Sequence, residues 1–338
     1  MKVTLLGIDI AKSIFQLCGA DKSGRTILKK SVYRAELLKV ISQIPPCIIA
    51  MEACATSHYW ARQFQSFGHE VKLISPQFVK PFVKSNKNDV NDAEAITEAA
   101  SRPNMRFVPI KQASQQDMQS LHRIRQRIIA NRTALSNQIR GLLLEYGIAI
   151  LNGISQLRKQ LPIILENKEN KLTPIMVELC NDLYEELIIL DKKIKCFDTR
   201  IEVTAKTDPV CQKLTAIEGI GPLIAPSLAT ALSNPSLFKN GRHFAAFLGL
   251  TPRQHSSGGK NRLLGISKRG DCYLRMLLIQ GAKSALQQAP KKANARNHWV
   301  LDIKERRGNN RASVALANKN ARIAWALVAN NTSYQRAI

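Results

Sequence analysis

Several things are scarce in this chain of 338 residues, and each scarcity removes a class of protein. No apolar run approaches the roughly 20 residues of a membrane-crossing helix, so no membrane role is expected. The seven cysteines (Cys18, Cys47, Cys54, Cys180, Cys196, Cys211 and Cys272) include no Cys-x-x-Cys pair and no neighbouring His at zinc-ligand spacing. They read as reduced thiols packed as small hydrophobes. The N-terminal stretch Val3-Thr4-Leu5-Leu6-Gly7-Ile8 runs into Asp9 too early for a signal peptide, which points to the cytoplasm. Negative charge is in short supply relative to positive: 25 Asp+Glu face 50 Lys+Arg, a net charge of +25 at pH 7. Such an imbalance predicts a polyanionic partner.

What remains is enough for two or three domains, and a hydrophobic content of 45% rules out wholesale disorder. Residues 1 to about 110 alternate strand-like and helix-like stretches. Val3 to Ala11 reads as a buried strand, Ile14 to Ala20 and Arg25 to Val32 as a hairpin, and Pro46 to Met51 as another buried strand. A helix from Ser57 to Phe67, closed by Gly68, leads to a short strand from Val71 to Ile74. That order predicts a mixed sheet with helices packed on it.

Residues 111–205 are long helices with almost no Gly or Pro in their periodic parts. Leu121, Ile128, Leu135 and Leu142 recur every seven residues, flanked by Met118, Ile139 and Tyr146. Met176, Leu183, Leu190 and Phe197 repeat the pattern, so a helical hairpin or coiled coil is expected. Arg125 and Arg132 fall on the first seam, where they face a phosphate backbone, a neighbouring acid or water. Residues 206–338 read as a mostly helical, very basic domain; from Leu237 onward 19 Lys+Arg oppose three acids, a local charge of +16. A merely solvated surface balances its charges better than that.

Against this background a few acids stand out. Asp9 sits inside an apolar strand, and Glu52 ends the strand of residues 47–51, the end where α/β sheets place their sites. Asp89 and Asp92 open a helix, three residues apart and so on one side of it. Each has an ordinary reading: backbone acceptor for Asp9, and helix-dipole or capping acid for the others. Together they supply the hard oxygen ligands of a magnesium site for phosphoryl transfer, with manganese as an alternative ion.

Two segments of the basic region carry further signals. Ile217-Glu218-Gly219-Ile220-Gly221-Pro222 has the pattern of a helix-hairpin-helix, whose glycine turn (Gly219, Gly221) offers backbone N–H groups to phosphate, or else is a plain tight turn. The stretch Thr251-Pro252-Arg253-Gln254-His255-Ser256-Ser257-Gly258-Gly259-Lys260 continues to Lys268 and Arg269 and reads as a loop. It gathers hydroxyls, a His, glycines and the cations Arg253, Lys260, Arg262, Lys268 and Arg269. That set fits a phosphate-binding loop or a serine nucleophile.

At these residues the chain resembles the DEDD transposases of the insertion-sequence-110 family, relatives of the Piv DNA invertase. The resemblance rests on Gly-Ile-Asp-Ile-Ala-Lys, Met-Glu-Ala-Cys, Lys-Asn-Asp-x-x-Asp-Ala-Glu, Gly-Ile-Gly-Pro and Pro-Arg-Gln-His-Ser-Ser-Gly-Gly-Lys, in the family's order across residues 3–325. It implies an α/β ribonuclease H-like, RuvC-like domain over 1–110, then a coiled coil, then a C-terminal transposase domain. It further implies Asp9, Glu52, Asp89 and Asp92 as metal ligands and catalytic acids. Ser257, with Ser256 as the alternate, would be a nucleophile that becomes joined to DNA. Implied partners are donor and target DNA, a structured non-coding bridge RNA and further copies of the chain, as a dimer or tetramer, in a bacterial cytoplasm and on the nucleoid when bound to DNA. Three other readings stay open: a metal-dependent nuclease or junction resolvase using activated water, an actin-like or sugar-kinase-like ATPase, and a catalytically silent nucleic-acid binder.

Overall fold

A computed structural model describes residues 2–84, 88–291 and 294–335; Lys87, which opens the Lys-Asn-Asp stretch, lies outside them. The chain divides into two compact units, Met1–Gln116 and Asp117–Ile338.

The first unit runs β1 (Leu5–Asp9), β2 (Ile14–Ala20), β3 (Thr26–Tyr33), α1 (Leu37–Ser42), β4 (Ile48–Glu52), α2 (Ser57–Ser66), β5 (Glu70–Ile74), α3 (Pro76–Val79), α4 (Asp89–Ser101) and β6 (Phe107–Val108). Its sheet has the order β3-β2-β1-β4-β5-β6. The first three strands form the expected antiparallel meander, β1, β4 and β5 are parallel, and β6 closes the edge antiparallel. The short α1 and β6 were not legible beforehand, each being too brief to show a period.

Strand alternation decides what each face carries. Leu6, Ile8, Ile49, Met51 and Leu73 point to one side, where they are buried with Leu37 and Ile41 of α1 and Trp60 and Phe64 of α2. The other side holds Ala50 and Ile74 against Ala95, Ile96 and Ala99 of α4. Small residues on that face of α4 let the helix lie close to the sheet. By the same alternation Gly7, Asp9 and Glu52 face α4.

Gly7 sets how close the helix comes. A Cβ at that position would stand 2.1 Å from Thr97 Oγ1 and 2.7 Å from the Ala93 carbonyl oxygen, both on α4. The Thr97 hydroxyl has little freedom to move aside, because its oxygen is 2.8 Å from the Ala93 carbonyl oxygen and 3.1 Å from that of Cys18. Gly7→Ala is therefore expected to cost about 3 kcal/mol, the upper part of the range for overpacked cores. Urea denaturation measures it, and a loss under about 0.5 kcal/mol would show that α4 simply shifts.

The second unit contains most of α5 (Ala113–Leu144), α6 (Ile154–Glu166), α7 (Pro174–Thr207), α8 (Pro209–Thr215), α9 (Ala225–Ala231), α10 (Gly241–Phe247), β7 (Pro252–Ser257), β8 (Lys260–Ile266), α11 (Cys272–Gln288), α12 (Ala295–Arg307) and α13 (Asn309–Ala329). Ile128, Leu135, Ile139 and Leu143 of α5 share a core with Leu157 and Leu161 of α6 and Leu187, Leu190 and Ile194 of α7. The buried line reaches Leu143 rather than the heptad position Leu142, as expected when a 3.6-residue turn drifts off a seven-residue repeat.

The two seam arginines find acids. Arg125 pairs with Asp198, and Arg132 with Asp191 at 3.0 Å. Seven residues forward on α5 match seven backward on α7, so these helices are antiparallel. Arg158 of α6 also reaches Asp191, at 2.5 Å. A separate core joins α8 to α13 through Leu214, Leu228, Phe244, Leu278, Val300 and Leu316.

Candidate active site

Asp9 and Glu52 each follow the last matched pair of two neighbouring parallel strands, Ile8 opposite Met51. Their carboxylates therefore leave the sheet side by side, toward α4. That helix is capped by Asn88, whose side chain accepts from the Val90 amide at 3.1 Å, which removes the capping explanation for Asp89. Asp89 and Asp92 occupy its first turn. Oxygens of Asp9, Asp89 and Asp92 all come within 4.8 Å of one another. Glu52 stands outside that triple, yet near enough for its charge to act on Asp9.

Burial, followed by the charges of Asp92, Asp89 and Glu52, pushes the Asp9 carboxyl up from its ordinary 3.8 to about 6. A raised carboxyl favours folding only while it is protonated. That contribution is complete below the unfolded value of 3.8 and is lost as pH rises through about 6. At neutral pH the cluster is thus self-repelling, and a cation among the acids would relieve it. All-carboxylate oxygen donors fit a hard divalent ion. Cys54 lies beside them, its thiol raised by burial and then by the charges of Glu52 and Asp9. It is a neighbour that sequence spacing did not reveal.

In the second unit, the segment expected to be a loop is a two-stranded hairpin. The Gly258-Gly259 turn has φ of 55° and 75°, the pair of left-handed residues that a type I′ hairpin requires. Ser257 lies opposite Lys260 and His255 opposite Arg262, while Ser256 faces Asn261 and Gln254 faces Leu263. Paired residues share a face, and neighbours along a strand do not. Ser257 therefore shares its face with His255, Lys260 and Arg262, whereas Ser256 sits among amides and accepts from Gln254 Nε2 at 2.8 Å.

Every residue from Pro252 to Leu263 is exposed. The base of the hairpin is held differently: the Ser267 amide donates to the Thr251 carbonyl at 2.8 Å, and the buried Arg275 donates to the carbonyls of Leu248 at 3.2 Å and Arg269 at 2.7 Å. Lys268 and Arg269 are exposed beside this clamp, and Arg253, Lys260 and Arg262 are exposed on the strands.

The Gly219-Gly221 turn does join two helical stretches, α8 and α9. Gly219 is committed to packing: a Cβ there would stand 2.8 Å from the Gly281 carbonyl oxygen of α11. The preceding Glu218 carbonyl accepts from Arg296 at 2.9 Å and Asn320 at 3.0 Å. Only the Gly221 side opens outward, with nothing within 4 Å of a Cβ built there. Among the described residues no helix is long and apolar enough to cross a membrane.

Two family profiles match the chain, one in each half. The sequence profile described as Transposase IS116/IS110/IS902 family matches residues 211–298, and the profile of the IS110 DEDD transposase domain, described as Transposase, matches residues 6–148. The chain is 46% identical over 336 residues to a "Probable family 20 transposase" of Pseudomonas aeruginosa, covering 99% of each. It is 46% identical over 333 residues to the "Transposase for insertion sequence element IS1111A" of Coxiella burnetii, covering 98% of this chain and 92% of that one. A more distant relative is the "Pilin gene-inverting protein" of Moraxella bovis, 24% identical over 302 residues and 83% of each chain. With its acid cluster on the N-terminal sheet and a basic helical remainder, the chain belongs to the IS110 family of DEDD transposases, enzymes that process DNA.

Proposed function

We propose that this protein excises and inserts its own insertion element through a magnesium-dependent acid cluster on a ribonuclease H-like, RuvC-like sheet and a serine nucleophile on a separate basic unit. The observation that carries the reading is the convergence of Asp9, Asp89 and Asp92 oxygens within 4.8 Å, at the end of two parallel strands. Asp9, Asp89, Asp92 and Glu52 would hold the ion. When bound, it supplies positive charge for the phosphate oxygens that develop charge during strand exchange. The acids on the chain hold it in place and are not themselves the attacking group.

Ser257 is the nucleophile in this reading, supported by the company it keeps on the hairpin. Its hydroxyl attacks the phosphorus of a DNA phosphodiester and a sugar hydroxyl leaves, so that one ester bond replaces another. Its proton passes to a base, for which His255 on the same face is the nearest candidate by register. Lys260 and Arg262 on that face favour the phosphate. The acids lie in the first unit and Ser257 in the second. Further copies of the chain, as a dimer or tetramer, belong to this proposal as well. A structured bridge RNA that pairs with donor and target DNA belongs to the same proposal, supported by the net charge of +25, which favours polyanionic partners of either kind.

A thermal titration tests the metal half. Magnesium or manganese should raise Tm of the full chain at pH 7.5, and the apparent affinity should fall as pH drops below about 6, up to tenfold per unit, because ion and proton compete for Asp9. A shift that is absent, or indifferent to pH between 5 and 7.5, would sink this assignment.

A further inference from the structure

One cleft in the C-terminal unit belongs to neither half of the site just described. It has a volume of about 1180 Å³ and opens between α10, α12, α13 and the base of the β7–β8 hairpin. Arg311, Lys319 and Arg322 line it from α13, and their spacing keeps them on one side of that helix. Arg242 of α10 adds a fourth cation, and among the described residues no acid lines the cleft. Between the cations the surface is mostly apolar, with Leu250, Val314, Ile323 and the rings of Trp299 and Trp325.

These walls are held in place. The Trp325 indole N–H donates to the Pro235 carbonyl at 3.0 Å, and Asn318 Nδ2 donates to the Leu250 carbonyl at 3.1 Å. Lys319 Nζ lies 4.2 Å from the centre of the Trp299 ring. Burial, then the charges of Arg296 and Arg322, hold its ammonium below the ordinary lysine range, a crowding of positive charge that an anion relieves. An apolar floor with tryptophans and a cationic rim suits a flat aromatic base joined to phosphate. A base still paired inside a duplex cannot enter such a cleft, so its ligand has to be unpaired.

The position of the cleft indicates which strand. Pro252, Leu264, Gly265 and Ile266 of the hairpin stem form part of its wall. Pro252 is five strand steps from Ser257, roughly 17 Å at ~3.3 Å per residue. That is about five nucleotides at the stacked spacing of ~3.4 Å. We propose that the cleft receives one unpaired nucleotide of the DNA strand presented to Ser257, with the base on the apolar floor beside Trp299 and the flanking phosphates on Arg311 and Arg322. The inference rests on the reading that Ser257 attacks DNA.

The test uses the full chain and three probes: a mixed-sequence DNA duplex with one extrahelical 2-aminopurine, the same duplex fully paired, and the bulged duplex in RNA. The bulged DNA should bind roughly tenfold or more tighter than the paired one, with its 2-aminopurine fluorescence quenched on binding. Arg311→Ala combined with Arg322→Ala should remove the preference, and so should Val314→Trp, which fills the cleft without touching charge. Circular dichroism confirms that both fold. Equal affinity for bulged and paired DNA, a preference that survives both variants, or a preference confined to RNA overturns the inference. Ser257→Ala should leave the preference intact, and the wild-type protein–DNA adduct is scored separately. An adduct without the preference removes the cleft proposal alone. The preference without an adduct removes the serine reading, and with it the link between this cleft and the attacked strand.

Discussion

Asp9→Asn should lower strand cleavage and element excision by roughly 10³-fold or more, equivalent to ~4 kcal/mol, while raising the stability of the metal-free protein. The two effects share one cause. At neutral pH Asp9 is ionised against burial and the charges of Asp92, Asp89 and Glu52, which lift its carboxyl from 3.8 to about 6. An amide of the same shape removes that repulsion and a ligand charge together. A shift of this size corresponds to ~3 kcal/mol at most, and solvent screening of a half-exposed group brings it to ~1–2 kcal/mol, a few degrees in Tm. Excision is read from the resealed donor site, and stability from melting in chelator. An Asp9→Asn protein that melts lower in chelator would mean the carboxylate is structural, accepting bonds the amide cannot. One that still cleaves at the native rate would leave the cluster without a catalytic role.

Ser257→Ala should abolish the denaturation-resistant protein–DNA adduct and recombination alike, whereas Ser256→Ala should keep both within about threefold. The distinction comes from the hairpin register. Ser257 is paired with Lys260, next to the His255–Arg262 pair, and Ser256 is paired with Asn261 on the other face. Adjacent serines in a loop are chemically equivalent, but in a strand they point to opposite sides. The reverse result, with Ser256 required and Ser257 dispensable, would put the reacting phosphate on the amide face. No adduct from the wild type, with Asp9 still essential, would instead identify a nuclease or resolvase that activates water.

How legible this site was depends on which physical signal each residue left in the sequence. Strands β1, β2, β4 and β5 were readable because buried apolar runs and the meander turn leave a period of two or a continuous stretch. Asp9 was visible as a charge inside an apolar strand, and Glu52 as an acid at the end of another. That their oxygens do not all converge equally, with Asp9, Asp89 and Asp92 forming the tight triple, depends on how far α4 slides over β1. Gly7 against Thr97 sets that distance, and no local pattern encodes a contact 90 residues apart. The hairpin was missed because hydroxyls, amides and cations dominate its strands and no buried face marks a strand period; only Gly258-Gly259 signalled a turn. Arg125 and Arg132 showed a polar interruption of the seam but not its partners, since Asp198 and Asp191 come from a helix running the other way. The cationic side of α13 is encoded in the spacing of Arg311, Lys319 and Arg322 at the helix period, which a net charge alone conceals.

The hairpin bearing Ser257 is clamped at its root by Arg275 and exposed along its whole outer length. Two strands alone in water are marginally stable, so the root confines the serine to an arc while the tip stays unordered by packing. A reactive group on such a tether has a high local concentration within its reach and none beyond it. In a DNA-processing enzyme such a tether would act as an interlock. If Ser257 is the nucleophile, as proposed, its hydroxyl would become competent only when a correctly placed strand supplies the contacts that the fold leaves out.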